Sequence, residues 1–308
     1  MSKGEAHKKH HYVPQTYLRQ FAHSKGKSRN STYFLHACNR QASMPFLKNI
    51  KDACQIANLY RISDEYISRN PSANINSLSI EVEHFADCVE TNLADILRKI
   101  NQRKDMCLKE CAKIFPMGPK DKFILAKQII IQFLRYPRMK VFSNSLFDAT
   151  YPPVLKVFQQ LIAREKDNRE LADLEIDIKK DETVLHAQST YLNDKIVESF
   201  ATDLSKNIWS FIYSPTMKFR TSDNPVVLVQ RCLNERPLNL GLNQKGAIKF
   251  YAISPDLLLL MMEKTTPSDV DCKFGTATEL CISTYHQALC AQSQEIYSFN
   301  PFDNNFKI

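Results

Sequence analysis

The strongest constraint on the fold is a dense aromatic and apolar segment close to the N-terminus. The sequence HHYVPQTYL occupies residues 10–18, and Phe21 follows it. The end of a chain usually frays unless later elements hold it, so this segment requires a partner from further along the chain. The best candidate is the segment 219–227, FRTSDNPVV, in which a polar turn interrupts an apolar run. The sequence therefore predicts that these two segments form the two sides of one site.

Composition places the chain among globular proteins of the cytoplasm. Of its 308 residues, 44% are hydrophobic and 24% are charged, which is typical of a water-soluble domain. The longest apolar run, Leu257–Met262, is far too short for a membrane span, and the first nine residues lack the apolar region of a secretory signal. Nine cysteines without a C-x-x-C pair predict reduced thiols and exclude a disulfide framework. We therefore expect a cytoplasmic protein with no membrane partner.

Charge and glycine content limit the classes of function that this chain can have. The net charge is +8, and much of the excess lies near the N-terminus, in Lys3, Lys8, Lys9, Arg19, Lys25, Lys27 and Arg29. Such an arm is suited to attract nucleic acid or another phosphorylated partner, but a solvated basic end has the same composition. Only 6 glycines occur, and they do not cluster. A P-loop or a Rossmann turn is therefore excluded, and no nucleotide-cofactor motif is present.

Hydrophobic periodicity predicts an α+β fold. It is predominantly helical, with a small antiparallel sheet built from an N-terminal hairpin at 31–47 and the C-terminal third of the chain. Helices are predicted at 79–103, 123–137, 152–161, 192–204, 257–263 and 276–293, and strands at 207–213, 226–230, 249–253 and 295–299. We predict a single domain over 1–308, with a flexible basic arm at 1–8 and a charged surface insertion at about 164–183.

The predicted helix at 123–137 carries an unusual polar stripe. It is apolar almost all round except for Gln128, Gln132 and Arg135. A buried amide or guanidinium without a partner costs about 1 to 3 kcal/mol, so these side chains must meet polar groups. The stripe is therefore either the wall of a site or a polar network that fixes the orientation of the helix.

Several motifs in combination resemble a family of bacterial and phage-borne proteins of unknown function. They are His11-Tyr12-Val13-Pro14-Gln15 with Tyr17-Leu18 and Phe21, Glu83 and Glu90, Gln132-x-x-Arg135-x-Pro137, Trp209, Phe219-x-Thr221-Ser222-Asp223-Asn224-Pro225, and Ile253-Ser254-Pro255. The resemblance covers about residues 8 to 299. The sequence departs from the family pattern at Thr16, where an aromatic residue is usual, and at Tyr136, where threonine is common. The resemblance implies no agreed activity, but it does imply a role in mobile elements or antiphage defence, with a protein partner in such a system.

The polar residues of these motifs suit a metal-assisted phosphodiester hydrolase acting on nucleic acid. His11, Glu90 and Asp223 are the predicted ligands of a divalent cation, Mg²⁺ or Mn²⁺. The predicted catalytic residues are His11, Arg135, Asp223 and Gln132, in which Arg135 binds phosphate and Gln132 orients the substrate. His11 is alternatively a general base that needs no metal. Tyr12, Tyr17, Ser222 and Asn224 are predicted to bind the substrate, whereas His10 is expected to be exposed.

Three alternatives compete with this hypothesis. The segment 222–225, SDNP, is also a good turn sequence, because Asp and Asn bond to nearby amides and Pro removes the preceding residue from helical geometry. The chain could instead be a nucleotide-dependent transferase in which His11 and Arg135 hold a pyrophosphate. It could also be a non-catalytic module that senses a phage protein or nucleic acid. The sequence favours an enzyme over the sensor, but it does not exclude the sensor.

Overall fold

The computed structural model shows an α+β fold, as the periodicity predicts. It describes residues 9–25, 31–41, 44–167, 169–172, 174, 176, 179–230, 241–244, 246–303 and 306–308. The predicted basic arm at 1–8 lies outside the described residues, and so do several positions of the predicted charged insertion at 164–183.

Eight α-helices occur in the described part of the chain. They are α1 (Gln15–Leu18), α2 (Asp64–Arg69), α3 (Glu90–Glu110), α4 (Pro119–Leu134), α5 (Pro137–Glu165), α6 (Glu182–Ser189), α7 (Asp194–Lys206) and α8 (Glu279–Gln292). A π-helix, Ile80–Val89, leads directly into α3. Among the described residues, no helix combines the length and the apolar character needed to cross a bilayer.

Twelve strands in the same residues form three sheets. They are β1 (Lys9–His11), β2 (His23–Lys25), β3 (Thr32–Asn39), β4 (Phe46–Asn49), β5 (Gln55–Ala57), β6 (Ile208–Tyr213), β7 (Thr221–Ser222), β8 (Val226–Gln230), β9 (Ala247–Ser254), β10 (Leu257–Met262), β11 (Lys273–Thr276) and β12 (Glu295–Ser298). One sheet pairs β1 with β5, and the central sheet has the order β11-β6-β10-β9-β8. The third, which we call the terminal sheet, has the order β2-β3-β12-β7, with β4 paired to β3.

The terminal sheet joins the two ends of the chain. Strand β12 lies between β3 and β7 and is antiparallel to both. The predicted hairpin at 31–47 therefore does pair with the C-terminal part of the chain. The sheets are larger than the small antiparallel one expected, and β11 pairs with β6 in parallel. Buried apolar residues between Val13 and Phe302 form one continuous hydrophobic cluster, to which both five-stranded sheets and most helices contribute.

One predicted helix and the start of another are wrong. Residues 257–263 form strand β10, which pairs with β6 and β9 and is buried over most of its length. A short apolar run without polar alternation fits a central strand as well as a helix, so periodicity alone cannot separate them. The predicted helix start at Pro152 is also wrong, because α5 runs from Pro137 through both Pro152 and Pro153 to Glu165.

Candidate active site

The N-terminal motif is held in place by its main chain. The amide of Tyr12 donates to the carbonyl of Cys54 at 3.0 Å, which extends the pairing of β1 with β5. From α4, Arg135 Nη2 donates to the carbonyl of His11 at 2.6 Å, and Gln132 Nε2 donates to the carbonyl of Tyr12 at 2.9 Å. Gln132 and Arg135 of the polar stripe therefore each find a partner in the backbone of the motif.

Arg135 lies in the interior and not at a surface. Its side chain is 1% exposed, and its guanidinium lies 3.7 Å from the centre of the Phe85 ring. The Nε atom donates to the hydroxyl of Tyr60 at 3.4 Å. Burial raises the pKa of the nearby Glu90 carboxyl, whereas the positive charge of Arg135 lowers it. These contacts place Arg135 and Glu90 in one region of the protein, behind the N-terminal motif.

The side chain of His11 is occupied at both nitrogens. Its partners imply the tautomer in which Nδ1 donates to the carbonyl of Ala53 at 3.0 Å and Nε2 accepts from Gln15 Nε2 at 2.9 Å. Burial lowers the pKa of His11, and the charge of Arg135 lowers it further. A neutral imidazole with both nitrogens bonded has no free atom for a metal or a proton.

His10 is buried, so the expectation that it is exposed is wrong. It is 1% exposed, its Nδ1 accepts from the amide of Tyr60 at 2.9 Å, and the two rings are stacked 5.7 Å apart. Successive side chains of a strand point to opposite faces. His10 in β1 therefore points inward, while His11 points toward Ala53.

The second motif forms a turn fixed to the start of β12. The amide of Asp223 donates to the carbonyl of Glu295 at 3.0 Å. In return, Oδ1 of Asp223 accepts from the amide of Gln294 at 3.0 Å and from that of Glu295 at 3.2 Å. The hydroxyl of Ser222 accepts from the amide of Asn224 at 3.0 Å and closes the turn. The turn and the site are thus the same structure, because the turn sets the position of the Asp223 carboxylate.

The two motifs meet at a polar cavity of about 310 Å³. It lies where β3 and β7 end and β12 begins, at one end of these strands of the terminal sheet. Tyr12 and Asp223 are the members of the predicted site that line it, and the sequence analysis did not identify the others. The lining residues are Tyr12, Asn39, Arg40, Gln41, Lys48, Asp223, Gln294 and Glu295.

An ion pair lies beside Asp223 in this cavity. Lys48 Nζ contacts both carboxylate oxygens of Glu295, at 2.8 Å and 2.6 Å. The hydroxyl of Tyr297 donates to Glu295 Oε2 at 2.6 Å. Tyr297 lies two residues further along β12 and so on the same face of the strand as Glu295. The orientation of the Glu295 carboxylate is therefore fixed from two sides.

Burial and neighbouring charge raise the pKa of two acidic groups in the cavity. Asp223 is 5% exposed, and burial raises the pKa of its carboxyl. The hydrogen bonds from Gln294 and Glu295 lower that pKa, and the charge of Glu295 raises it. Burial also raises the pKa of the Tyr12 phenol, and the charges of Cys54 and Asp223 act in the same direction. Tyr12 is therefore a protonated hydrogen-bond donor at any physiological pH.

The remaining predicted substrate-binding residues do not line the cavity. Tyr17 is fully buried, donates to the carbonyl of Ala252 at 2.7 Å and accepts from the hydroxyl of Thr221 at 2.8 Å. Ser222 is also fully buried. The amide of Asn224 reaches the carbonyl of Gln292 at 3.4 Å. In this arrangement all three support the turn and the core.

The predicted metal ligands are not brought together, and of these three residues only Asp223 lines the cavity. His11 has no free nitrogen and Glu90 lies near Arg135, so neither shares a position with Asp223. Within the described ranges, no three His, Cys, Asp or Glu side chains are grouped to hold a metal ion. Mg²⁺, however, keeps several waters and often binds only one or two carboxylates. Of the two carboxylates in the cavity, Glu295 is bonded to Lys48 and Tyr297, whereas Asp223 uses only Oδ1 for the backbone amides.

Sequence reasoning missed Lys48, Glu295 and Arg40. Lys48 interrupts the short strand β4, and Glu295 opens the last strand, β12. A charged residue in a short apolar strand is a weak local signal, because an exposed edge carries charges equally well. The pairing of β3 with both β12 and β4 brings these residues together.

Comparison with known proteins identifies the family. A family model described as a protein of unknown function, DUF4238, matches residues 9–300. The chain belongs to the DUF4238 family. The DUF4238 match spans the whole candidate site, including Tyr12, Lys48, Asp223 and Glu295. No curated protein and no solved structure matches the chain.

Proposed function

We propose that this protein is a metal-assisted phosphodiester hydrolase that acts on nucleic acid, as a toxic or antiphage effector in the cytoplasm. One observation carries the proposal, namely the grouping of Asp223, Glu295, Lys48 and Tyr12 around one cavity. The Asp223 carboxylate provides a cation ligand, Lys48 provides a positive charge for phosphate, and the protonated phenol of Tyr12 provides a hydrogen-bond donor. This combination suits the metal-assisted hydrolysis of a phosphodiester.

Asp223 is the residue best suited to act. Its Oδ1 is held by two backbone amides, whereas no donor in the described part of the chain reaches Oδ2. This second oxygen is therefore available to a cation or to an attacking water. When bound, Mg²⁺ or Mn²⁺ lowers the pKa of its own water and so supplies a nucleophile at neutral pH.

Lys48 and Tyr12 are suited to stabilise the charge on the phosphoryl oxygens and to hydrogen-bond to the leaving oxygen. In hydrolysis, water attacks phosphorus, the P–O ester bond breaks and the leaving oxygen takes up a proton. The Lys48 ammonium lies at the cavity, where it can offset the charge that develops on the phosphoryl oxygens. Tyr12 keeps its proton because burial raises its pKa, so it can hydrogen-bond to the leaving oxygen.

Charge supports a nucleic acid as the substrate. The chain carries a net charge of +8, and two of its cations, Arg40 and Lys48, line the cavity itself. Just outside it, the guanidinium of Arg138 lies 6.0 Å from the centre of the Tyr136 ring, and that ring is tilted against Tyr12. Cations and aromatic faces together favour phosphate and bases of a flexible single strand.

The direct test is cleavage of end-labelled RNA and DNA by the purified protein. We expect cleavage with Mg²⁺ or Mn²⁺ and its loss with EDTA. Replacing Lys48 by Met should lower the cleavage rate by about 100-fold, because one preorganised charge typically contributes that much. The matched control is Lys206→Met, since Lys206 is also in an ion pair but is 69% exposed. It should cleave at the wild-type rate.

Two outcomes would overturn the proposal. One is the absence of cleavage under every condition, with nucleic acid binding retained, which would favour the non-catalytic sensor. The other is cleavage that is indifferent to Lys48→Met. The effector role has its own readout: expression in bacteria should arrest growth, and Lys48→Met should relieve the arrest.

A further inference from the structure

The longest helix of the protein exposes an extended apolar face. Helix α5 has 29 residues, of which only Asn144 and Ala163 are buried. We define the α5 face by Phe142, Leu146, Val154, Val157, Phe158 and Leu161, each 49% to 57% exposed. Their spacing follows the turns of the helix, so they share one broad side of it.

This surface is too apolar to be an ordinary solvated helix face. Monomeric proteins rarely expose contiguous apolar patches beyond about 300 to 600 Å². Six large side chains that are each about half exposed, together with further apolar neighbours on α5, approach the ~800 Å² that each partner contributes to a standard interface. Within the monomer, α5 packs mainly on α6 and on the short 3₁₀ turn Arg169–Ala172, which leaves the α5 face uncovered.

The charges around the face indicate what covers it. Between residues 141 and 162 the sequence has only two charged residues, Asp148 and Lys156, of opposite sign. A nucleic acid or an anionic membrane would be met by clustered cations, which this stretch lacks. Two copies of a neutral apolar helix face, in contrast, meet without repulsion between like charges.

We infer that the α5 face is the interface of a homodimer, in which α5 of one copy packs against α5 of a second copy. Such an interface is isologous, because the same patch serves both subunits. Side chains spaced three and four residues apart form ridges on a helix. The ridges of one α5 helix can pack into the grooves between the same ridges of the second α5 helix. The cavity with Asp223 is formed by other elements and stays open in each copy.

Sedimentation velocity of the full chain tests this inference. The wild-type protein should sediment with twice the 35.5 kDa mass of one chain. The double variant Val157→Lys, Phe158→Lys should sediment as a monomer, with the dimer dissociation constant raised about 100-fold or more. Its circular dichroism spectrum should be unchanged, because both side chains are already more than half exposed. Should the double variant fail to fold, the single variant Leu146→Lys gives the same test at the other end of the face.

A matched control and the contrary outcomes complete the test. Leu280 on α8 is 77% exposed and lies outside the α5 face, so Leu280→Lys should remain a dimer. A wild-type protein that is monomeric at all concentrations would overturn the inference. A monomeric protein that binds vesicles of neutral and anionic lipid would overturn it as well, because the α5 face would then bind a membrane. A double variant that is folded and still dimeric would also overturn it, since the interface would then lie elsewhere.

Discussion

Arg135 and Asp223 are both almost fully buried, but their partners give them different roles. The guanidinium of Arg135 is held by the carbonyl of His11 and the hydroxyl of Tyr60, against the ring of Phe85. The carboxylate of Asp223 is bonded through one oxygen and lines a cavity. We therefore assign Arg135 to positioning the N-terminal motif and Asp223 to the chemistry.

Replacing Arg135 by Met tests this assignment at the scale of a single residue. The variant keeps the length of the side chain but loses its hydrogen bonds and leaves the buried carbonyl of His11 without its donor. We expect the free energy of unfolding to fall by about 3 kcal/mol, measured by urea denaturation. Arg138→Met is the control, because Arg138 is exposed one turn away. A stable Arg135→Met variant that has lost cleavage would instead place Arg135 in the reaction.

The sequence predicted which segments meet, but not which of their side chains face each other. The N-terminal motif does lie beside the polar stripe of α4 and beside the SDNP turn. Along an extended chain, however, consecutive side chains alternate in direction, and the pattern did not reveal the alternation. His11 therefore points away from the cavity that Tyr12 lines, although the two residues are neighbours.

At the scale of elements, α6 is attached to the helices beside it through one buried imidazole. His186 is 2% exposed, its Nε2 donates to the carbonyl of Leu134 at 3.1 Å, and its Nδ1 lies 3.0 Å from the hydroxyl of Ser143. Burial lowers the pKa of His186 to about 4, an effect that the bond to Leu134 partly opposes. The end of α4 and the first part of α5 thus share a contact with α6 that depends on a neutral histidine.

This contact predicts a loss of stability in acid. Between pH 6.5 and about 4 the unfolded chain binds a proton at His186 that the folded protein does not, so stability falls as the pH falls. Across this pH window, the lowered pKa of His186 reduces the free energy of unfolding by about 3 kcal/mol. In His186→Gln that part of the pH dependence should disappear, as urea denaturation at pH 7 and pH 4 would show. The control is His23→Gln, because His23 is exposed, and this variant should keep the wild-type pH dependence. Parallel pH profiles for His186→Gln and the wild type would refute the explanation.

Helices in which apolar residues repeat over several turns were predictable from the sequence. Short, uniformly apolar elements were not. The predicted helix at 123–137 forms as α4, Pro119–Leu134, whereas the predicted helix at 79–103 begins as the π-helix Ile80–Val89 and continues as α3 to Glu110. Strand β10 offers six apolar residues with no alternation, so only its position between β6 and β9 makes it a strand. Pro152 is a helix breaker in sequence terms, but α5 continues through it and loses the backbone donors that proline lacks.

The candidate site exists only at the scale of the whole molecule. Tyr12 comes from the N-terminal motif, Lys48 from β4, Asp223 from the turn after β7, and Glu295 from β12. Lys48 and Glu295 are 247 residues apart in the chain and form an ion pair. No local pattern encodes such a pair, because it depends on the order of strands in the terminal sheet. For this reason the sequence indicated a site near Tyr12 and Asp223 but not the lysine and glutamate that complete it.

The most direct test of the central claim is the single-turnover cleavage rate of Asp223→Asn. Asparagine keeps an oxygen that accepts from the amides of Gln294 and Glu295, so the turn stays folded, while the negative charge in the cavity is lost. Asp95→Asn, at a 62% exposed position on α3, is the control. We predict that Asp223→Asn lowers the rate by about 100-fold or more and that Asp95→Asn equals the wild type. Equal rates for Asp223→Asn and the wild type, at equal melting temperature, would contradict the account.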